Sequence, residues 1–119
     1  MKNEKVIQVP FMLKTLSYRF SDHRICLTDF KNFDGTMAIL NKYLDNENNQ
    51  EYLKVYFKTE KIELTDTKIT FFTLVNTGIV VQENDKVWCK NLIAFDILRS
   101  VSAMTRLHCN CIVLDGLGL

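Results

Sequence analysis

Short stretches rich in apolar residues, separated by turn-forming positions, predict β-strands in the first thirty positions. Residues 6–13 form the first predicted strand. Pro10 indicates an edge or a bulge there, because proline cannot donate to a central ladder. Residues 16–20 are interpreted as a continuation. After a turn at residues 21–23, residues 24–30 form the next predicted strand.

The hydrophobic period lengthens after Thr36, which predicts an amphipathic helix. Asp34 precedes it as the predicted N-cap, since a short acceptor side chain can bond the free amides of a first turn. The polar run at residues 45–50 is expected to end the helix and to form a loop. The residues that share the apolar face are Met37, Leu40, Tyr43 and Leu44.

Apolar and polar residues alternate at residues 53–58 and 61–65, and the forty residues after the helix predict a meander of five strands. Apolar residues on both faces of the third segment indicate a central strand that is covered on both sides. The five predicted strands are residues 53–58, 61–65, 68–75, 79–82 and 86–90.

A longer helix is predicted at residues 92–107, capped by Asn91. Its apolar arc is wider than contact with one sheet requires, and a helix that is apolar on most sides is usually buried. A final strand is expected at residues 111–114, followed by a short apolar tail at residues 115–119. The main apolar stripe of the helix comprises Ala94, Ile97, Leu98, Val101 and Met104, widened by Leu92, Ile93, Phe95 and Ala103.

This order of elements predicts one α+β domain covering residues 1–119. We expect a mostly antiparallel sheet or small barrel of about six to eight strands, because the connections are short turns. It carries one inserted helix and one longer C-terminal helix. Layered folds, a roll and a Greek-key OB-like barrel all fit this order.

Composition narrows the class of protein. The chain has 119 residues, of which 47% are hydrophobic and 24% charged, so general disorder is excluded. With 15 basic and 14 acidic residues its net charge is +1, without the positive bias of a dedicated duplex-DNA binder. No apolar run is long enough for a membrane span. We therefore expect an intracellular protein, cytoplasmic or nuclear, with its four cysteines as thiols.

Catalytic and cofactor signatures are missing from the sequence. Four glycines and one proline leave no glycine-rich phosphate cradle, and neither His23 nor His108 lies in a recognised catalytic motif. His108, Cys109 and Cys111 resemble metal ligands in type, but their spacing lacks the second pair that structural zinc commonly uses. We expect no catalytic residue, metal or cofactor. A small enzyme with a Cys/His site assembled by the fold is the weakest of three hypotheses.

A second hypothesis is a single-stranded nucleic-acid-binding, OB-like subunit. Lys54, Tyr56 and Lys58 alternate along a predicted strand and would form a basic, aromatic face. Such faces combine phosphate contacts with base stacking. Alternating lysines also protect edge strands from aggregation, which is the simpler interpretation.

The first hypothesis is a non-catalytic interaction module, a small subunit or adaptor that docks through its C-terminal helix. The partner would be another protein subunit or a second copy of the chain. Exposed apolar helices, apolar tails and tryptophans commonly mark such interfaces. The expected partner-binding residues are Phe95, Val101, Met104, Trp88 and Leu117.

Overall fold

The computed structural model describes residues 5–12, 14–65 and 67–111, together with the backbone of residues 112–114. It has an α+β fold with an open, antiparallel sheet and five α-helices. The strands are β1 (Val6–Phe11), β2 (Lys14–Arg19), β3 (Arg24–Cys26), β4 (Val80–Glu83) and β5 (Lys86–Lys90). The helices are α1 (Phe33–Leu44), α2 (Glu47–Thr59), α3 (Phe71–Asn76), α4 (Asn91–Arg99) and α5 (Ala103–Leu114).

The strands are ordered β1-β2-β3-β5-β4, and every neighbouring pair is antiparallel. Pro10 indicated an edge or a bulge, and β1 lies at one edge of the sheet. β3 is only three residues long, shorter than the predicted strand at residues 24–30, because the chain enters a 3₁₀ turn at Leu27–Asp29. Two side chains of that turn accept hydrogen bonds from backbone amides of the neighbouring strands β2 and β5. Asp29 Oδ2 accepts from Ser17 N at 2.8 Å, and Thr28 Oγ1 accepts from Val87 N at 3.3 Å.

One face of the sheet is covered by helices. α4 contacts β3, β5 and α1, and α5 packs against α4. α1 also contacts α2 and α3. The side chains that the strands turn toward this layer are fully or almost fully buried, and they include Val9, Leu16, Tyr18, Ile25, Val80 and Cys89.

The first helix lies where the sequence predicts it but begins earlier. Its N-cap is Asn32, whose Oδ1 accepts from Gly35 N at 2.7 Å, and not Asp34. Asp34 lies in the first turn, where a negative charge still favours the helix dipole. The predicted loop at residues 45–50 is only a two-residue interruption between α1 and α2. Asn46 caps α2, because its side chain accepts hydrogen bonds from Asn48 N and Asn49 N.

The predicted strands at residues 53–58 and 61–65 are wrong. Residues up to Thr59 belong to α2, and the chain that follows is irregular. Leu53 and Phe57 are spaced by four residues, a spacing that suits a strand face and a helix face alike. Val55 separates the two interpretations: a strand would bury it beside them, whereas in the helix it turns outward and is 59% exposed.

The predicted central strand at residues 68–75 is also wrong, since these residues lead into α3. Thr70 caps this helix through a reciprocal pair of bonds: its hydroxyl accepts from Thr73 N, and Thr73 Oγ1 accepts from Thr70 N. This local cap outweighs the strand preference of the Phe71-Phe72 pair. Phe72 is consequently 70% exposed.

The predicted helix at residues 92–107 is two helices. α4 ends at Arg99 and α5 begins at Ala103, and the predicted final strand at residues 111–114 is the end of α5. Asn91, the predicted cap, is the first residue of α4. Among the described residues the sheet has five strands and remains open. The predicted six to eight strands and the barrel are therefore not confirmed, and five helices replace the predicted two.

Gln50 joins α2 to the segment that leads into α3. Its side-chain amide donates to Leu44 O at 2.8 Å and to Ile69 O at 2.7 Å, and its Oε1 accepts from Ile69 N at 2.9 Å. Ile69 is fully buried, so solvent does not provide an alternative partner for its amide.

The substitution Gln50→Ala is expected to lower the free energy of unfolding by about 1–3 kcal/mol, because it leaves the buried Ile69 amide without an acceptor. Glu51→Ala, on the exposed neighbour, should change it by less than about 0.5 kcal/mol. Urea unfolding followed by the fluorescence of Trp88 measures both. Equal stability of the two variants would contradict this role of Gln50.

Candidate functional site

A groove of 280 Å³ lies where the C-terminal ends of α1 and α4 meet the start of α2. The aliphatic part of its wall comes from Ala38 and Ile39 on α1 and from Val101 after α4. A concave, mostly apolar wall with a few polar groups is the usual form of a binding site. The other lining residues are Lys42, Tyr43, Asn46, Asn49 and Ser100.

The end of α4 and the start of α5 shape one wall of the groove. Ser100 ends α4, and its hydroxyl donates back to Ile97 O at 2.5 Å. Ser102 then starts α5: Thr105 N donates to Ser102 Oγ at 3.1 Å, and Ser102 N donates to Thr105 Oγ1 at 2.9 Å. These bonds fix the direction of the chain on both sides of Val101 and present that residue between the two helices.

Tyr43 joins α1 to α4 beneath the groove. Its hydroxyl donates to Asp96 Oδ2. Burial raises the pKa of Tyr43 far above its ordinary value, and the bond to Asp96 raises it further. Tyr43 therefore stays protonated at physiological pH and acts as a fixed hydrogen-bond donor rather than as a base.

An apolar surface continues from the groove along α5. Val101, Met104 and Leu107 are 36%, 53% and 57% exposed, and Cys111 is exposed one turn further on. Residues spaced by three and four lie on one side of a helix, so Met104, Leu107 and Cys111 form a stripe. We call this stripe together with Val101 the α5 stripe. Its opposite neighbours Thr105 and Cys109 face the core.

Charges of both signs lie at the groove, since the lining residue Tyr43 donates its hydrogen bond to Asp96. Lys42 is the only charged side chain among the described residues that line it. Arg99 is exposed and directly precedes Ser100. Residues 103–111 include Arg106 and neither aspartate nor glutamate. The exposed carboxylates of this region, Asp45, Glu47 and Glu51, line a separate depression together with Lys54 and Lys68.

The predicted partner-binding residues are divided by the structure. Val101 and Met104 are exposed and lie beside the groove, whereas Phe95 is only 6% exposed. The placement of Phe95 on a docking surface is corrected by its position in the core, where Cys109 Sγ lies 3.8 Å from its carbonyl oxygen. Leu117 lies outside the described residues.

Trp88 lies on the sheet face opposite the helices, beside Cys26 and Val81. It is nevertheless buried, because the Arg19 guanidinium lies 4.4 Å from its ring centroid. A guanidinium on an indole face gains electrostatic attraction and shields the ring from water. Trp88 is therefore covered by the chain itself, which corrects its expected place on an exposed interface.

Asp22 and Glu83 hold Arg19 in place over Trp88. Arg19 Nε and Nη2 donate to the two oxygens of Asp22 at 3.0 and 2.7 Å, and Nη1 donates to Glu83 Oε1 at 3.1 Å. Arg24 Nη1 donates to Asp22 as well. These bonds tie β2, the turn before β3 and β4 together across the helix-free face of the sheet.

The predicted nucleic-acid-binding residues do not form the expected face. Lys54 and Lys58 are exposed and one turn apart on α2. Tyr56 lies between them in sequence, but it points to another side of the helix and packs partly against the core. The strand alternation on which the stacking platform depended is therefore wrong, while nucleic-acid binding itself stays an untested hypothesis.

The histidines and cysteines do not assemble into a site within the described residues, where no group of three or more His, Cys, Asp or Glu could hold a metal ion. His108 packs against Phe11, and the His23 ring bonds the Tyr18 hydroxyl at 2.9 Å. All four cysteines are unbridged. Burial raises the pKa of Cys109 to about 11 and raises those of Cys26 and Cys89, so these buried thiols stay protonated at neutral pH.

Comparisons with protein-family models, with curated proteins and with solved structures find no match to this chain. No helix in the described part of the chain is long and apolar enough to cross a membrane.

Sequence reasoning missed the groove, and its α1 wall above all. Ile39 and Lys42 belong to a predicted helix, but nothing in the sequence shows which other helix end lies beside them. A signal for the α4–α5 break was present: Ser102 and Thr105 are spaced as a capping pair, although the second position of such a pair is more often Glu or Gln.

The stabilising effect of Asp22 is expected to disappear in acid. Partial burial alone would raise the pKa of Asp22, but the hydrogen bonds and charges of Arg19 and Arg24 outweigh that effect and lower it. A carboxyl whose pKa is lower in the folded state stabilises the protein above its unfolded pKa of about 3.9 and loses this effect as the pH falls.

Asp22→Asn should therefore be less stable than the unmodified protein from about pH 5 to 7, and the difference should shrink toward zero below about pH 4. Urea unfolding across this pH range measures the difference. The control is Asp85→Asn, a substitution at an exposed turn residue. A gap for Asp22→Asn that stays constant down to acid pH would contradict the ion-pair account.

Proposed function

We propose that this protein is a non-catalytic interaction module that binds a segment of another protein in the groove between α1, α2 and α4. The observation that supports the proposal most strongly is the continuity of two apolar features. The groove wall ends at Val101, where the exposed α5 stripe begins. A pocket beside an exposed apolar ridge suits one anchoring side chain and the chain that carries it.

The size of the groove fits an anchor better than a large ligand. A volume of 280 Å³ lies just below the range for drug-sized ligand sites, which begins at about 300 Å³. The polar rim of Asn46, Asn49 and Ser100 supplies hydrogen-bonding groups of both kinds. Such groups can meet the backbone of a bound segment while the aliphatic wall holds its side chain.

Two other hypotheses have less support. The nucleic-acid hypothesis loses its stacking platform, because Tyr56 and the two lysines occupy different sides of α2. The enzyme hypothesis needs an activated nucleophile near a base. The buried thiols have raised pKa values, and no histidine lines the groove among the described residues.

The docking role is tested by selecting peptides from a displayed random library on the unmodified protein. Recovered peptides are expected to lose at least about tenfold in affinity for Val101→Asp and for Met104→Asp, since a charge on the apolar surface costs more than 1.4 kcal/mol when it is desolvated. Fluorescence anisotropy of labelled peptides measures the affinities. Urea unfolding first establishes that each variant is folded.

The matched control is Phe72→Asp, because Phe72 is the more exposed residue but belongs to α3 rather than to the groove. Peptides should bind this variant as tightly as the unmodified protein. The proposal fails if selection yields no binding peptide, or if Phe72→Asp abolishes binding and Val101→Asp does not.

A further inference from the structure

We infer that α5 is a hinged cover: it separates from α4 as a unit, turning at residues 100–102, while the sheet and the other helices stay folded. This conformational device goes beyond the proposed function and does not depend on it. It follows from the small size of the buried side chains of α5, from its few bonds to the rest of the chain, and from the separate capping of α4 and α5.

The side chains that hold α5 against the domain are small. Of its nine side chains at residues 103–111, six are exposed, His108 is half-buried, and only Thr105 and Cys109 are buried. Burial of a threonine and a cysteine removes less apolar surface from water than burial of a leucine does, so α5 is held less firmly than the other helices. Each of the other helices buries at least one large apolar side chain, such as Leu40 in α1, Leu53 in α2, Leu74 in α3 and Ile97 in α4.

Few bonds join α5 to the rest of the described chain. One side-chain hydrogen bond leaves its described side chains, from Cys109 Sγ to Phe95 O at 3.8 Å, and a thiol is a weak donor. His108 adds an edge contact with the ring of Phe11, at 5.9 Å between the ring centroids. None of the ion pairs between described residues involves α5. A segment with so few tertiary bonds is typical of the parts of a protein that open locally.

The turn between α4 and α5 suits a hinge, because each helix is capped by its own residues. Ser100 N and Val101 N donate to carbonyl oxygens of α4. Ser102 and Thr105 cap α5 through reciprocal bonds of 2.9 and 3.1 Å. A rotation between the two caps, at Val101, leaves both sets of bonds in place. The helix ends therefore keep their hydrogen bonds when α5 leaves α4.

Opening of α5 uncovers apolar side chains that are buried in the closed arrangement. His108 covers Phe11, which is fully buried, and Cys109 lies beside Phe95, which is 6% exposed. The hinge also includes Val101, which lines the groove. The position of α5 therefore controls both the exposure of this part of the core and the shape of the groove wall.

The cysteines make the opening measurable by labelling the folded protein with iodoacetamide, since a buried thiol reacts only when it becomes accessible. Cys109 is buried on α5, whereas Cys26 and Cys89 are buried on β3 and β5. The exposed Cys111 is removed by Cys111→Ser, so that its immediate reaction does not mask that of Cys109. Mass spectrometry of proteolytic fragments follows the three remaining thiols.

Without denaturant, Cys109 should react at least about tenfold faster than Cys26 and Cys89, because separating α5 requires less free energy than unfolding the sheet. Low concentrations of urea should hardly change the rate at Cys109, since opening exposes little surface, and should accelerate the other two reactions steeply. Reaction of Cys109 at the same rate and with the same urea dependence as Cys26 and Cys89 would overturn the inference.

A charge at the buried side of α5 should favour the open arrangement. Thr105→Asp should accelerate labelling of Cys109 by at least about tenfold and leave Cys26 and Cys89 unchanged, because the carboxylate is desolvated only when α5 is closed. Ala103→Asp is the matched control, since it adds the same charge at an exposed position of the same turn. It should leave all three rates unchanged.

Hydrogen exchange on the unmodified protein decides the question if Thr105→Asp does not fold. A detached helix of twelve residues is marginal in water, so the amides of residues 107–111 should exchange at least about tenfold faster than those of residues 95–98 in α4. Equal protection of the two helices would overturn the inference and would leave the docking function to the library selection.

Discussion

The burial of α4 on several sides determines most of this structure. Five of its nine residues are buried, and they point toward the sheet, toward α1 and toward α5. A helix that is apolar on most sides needs cover from more than one layer. The sheet supplies one layer, and α5 can supply another only if the chain turns back directly after Arg99. The Ser100–Ser102 turn makes this reversal, and it leaves the ends of three helices around one groove.

The apolar side chains on the two faces of the sheet are buried in different ways. The inner face is covered by helices, whereas the outer face covers its one tryptophan with the Arg19 guanidinium. Asp22 and Glu83 hold that guanidinium over the ring. The chain therefore needs no partner to shield Trp88. The α5 stripe, in contrast, is apolar surface beside the groove that no other described residue of the chain covers. This difference between Trp88 and the α5 stripe is why our account of function concerns the helix ends.

The sequence predicted the α+β class, the antiparallel pairing, β1 at an edge, α1 and the β4–β5 hairpin, because each follows from a local pattern. The prediction of strands failed at residues 53–75. Leu53 and Phe57 are four residues apart, a spacing that places two side chains on one face of a strand or of a helix. At the start of α3, Thr73 occupies the capping-box position where Glu or Gln is usual. The sequence prediction also treated the apolar period of α4 and α5 as one helix. Of the expected docking residues, Val101 and Met104 are exposed and Phe95 is buried. Periodicity could not separate them, because it shows that a side chain is apolar and not which layer covers it.

Amide chemical-shift mapping with a peptide recovered by the library selection tests the central claim most directly, since each residue reports its own environment. Our account predicts shifts concentrated at residues 38–49 and 99–107, with little change at Phe72, at Val75 or on the strands of the outer face. Shifts concentrated on α3 or on the outer sheet face, with residues 99–107 unchanged, would contradict the assignment of the groove as the docking site.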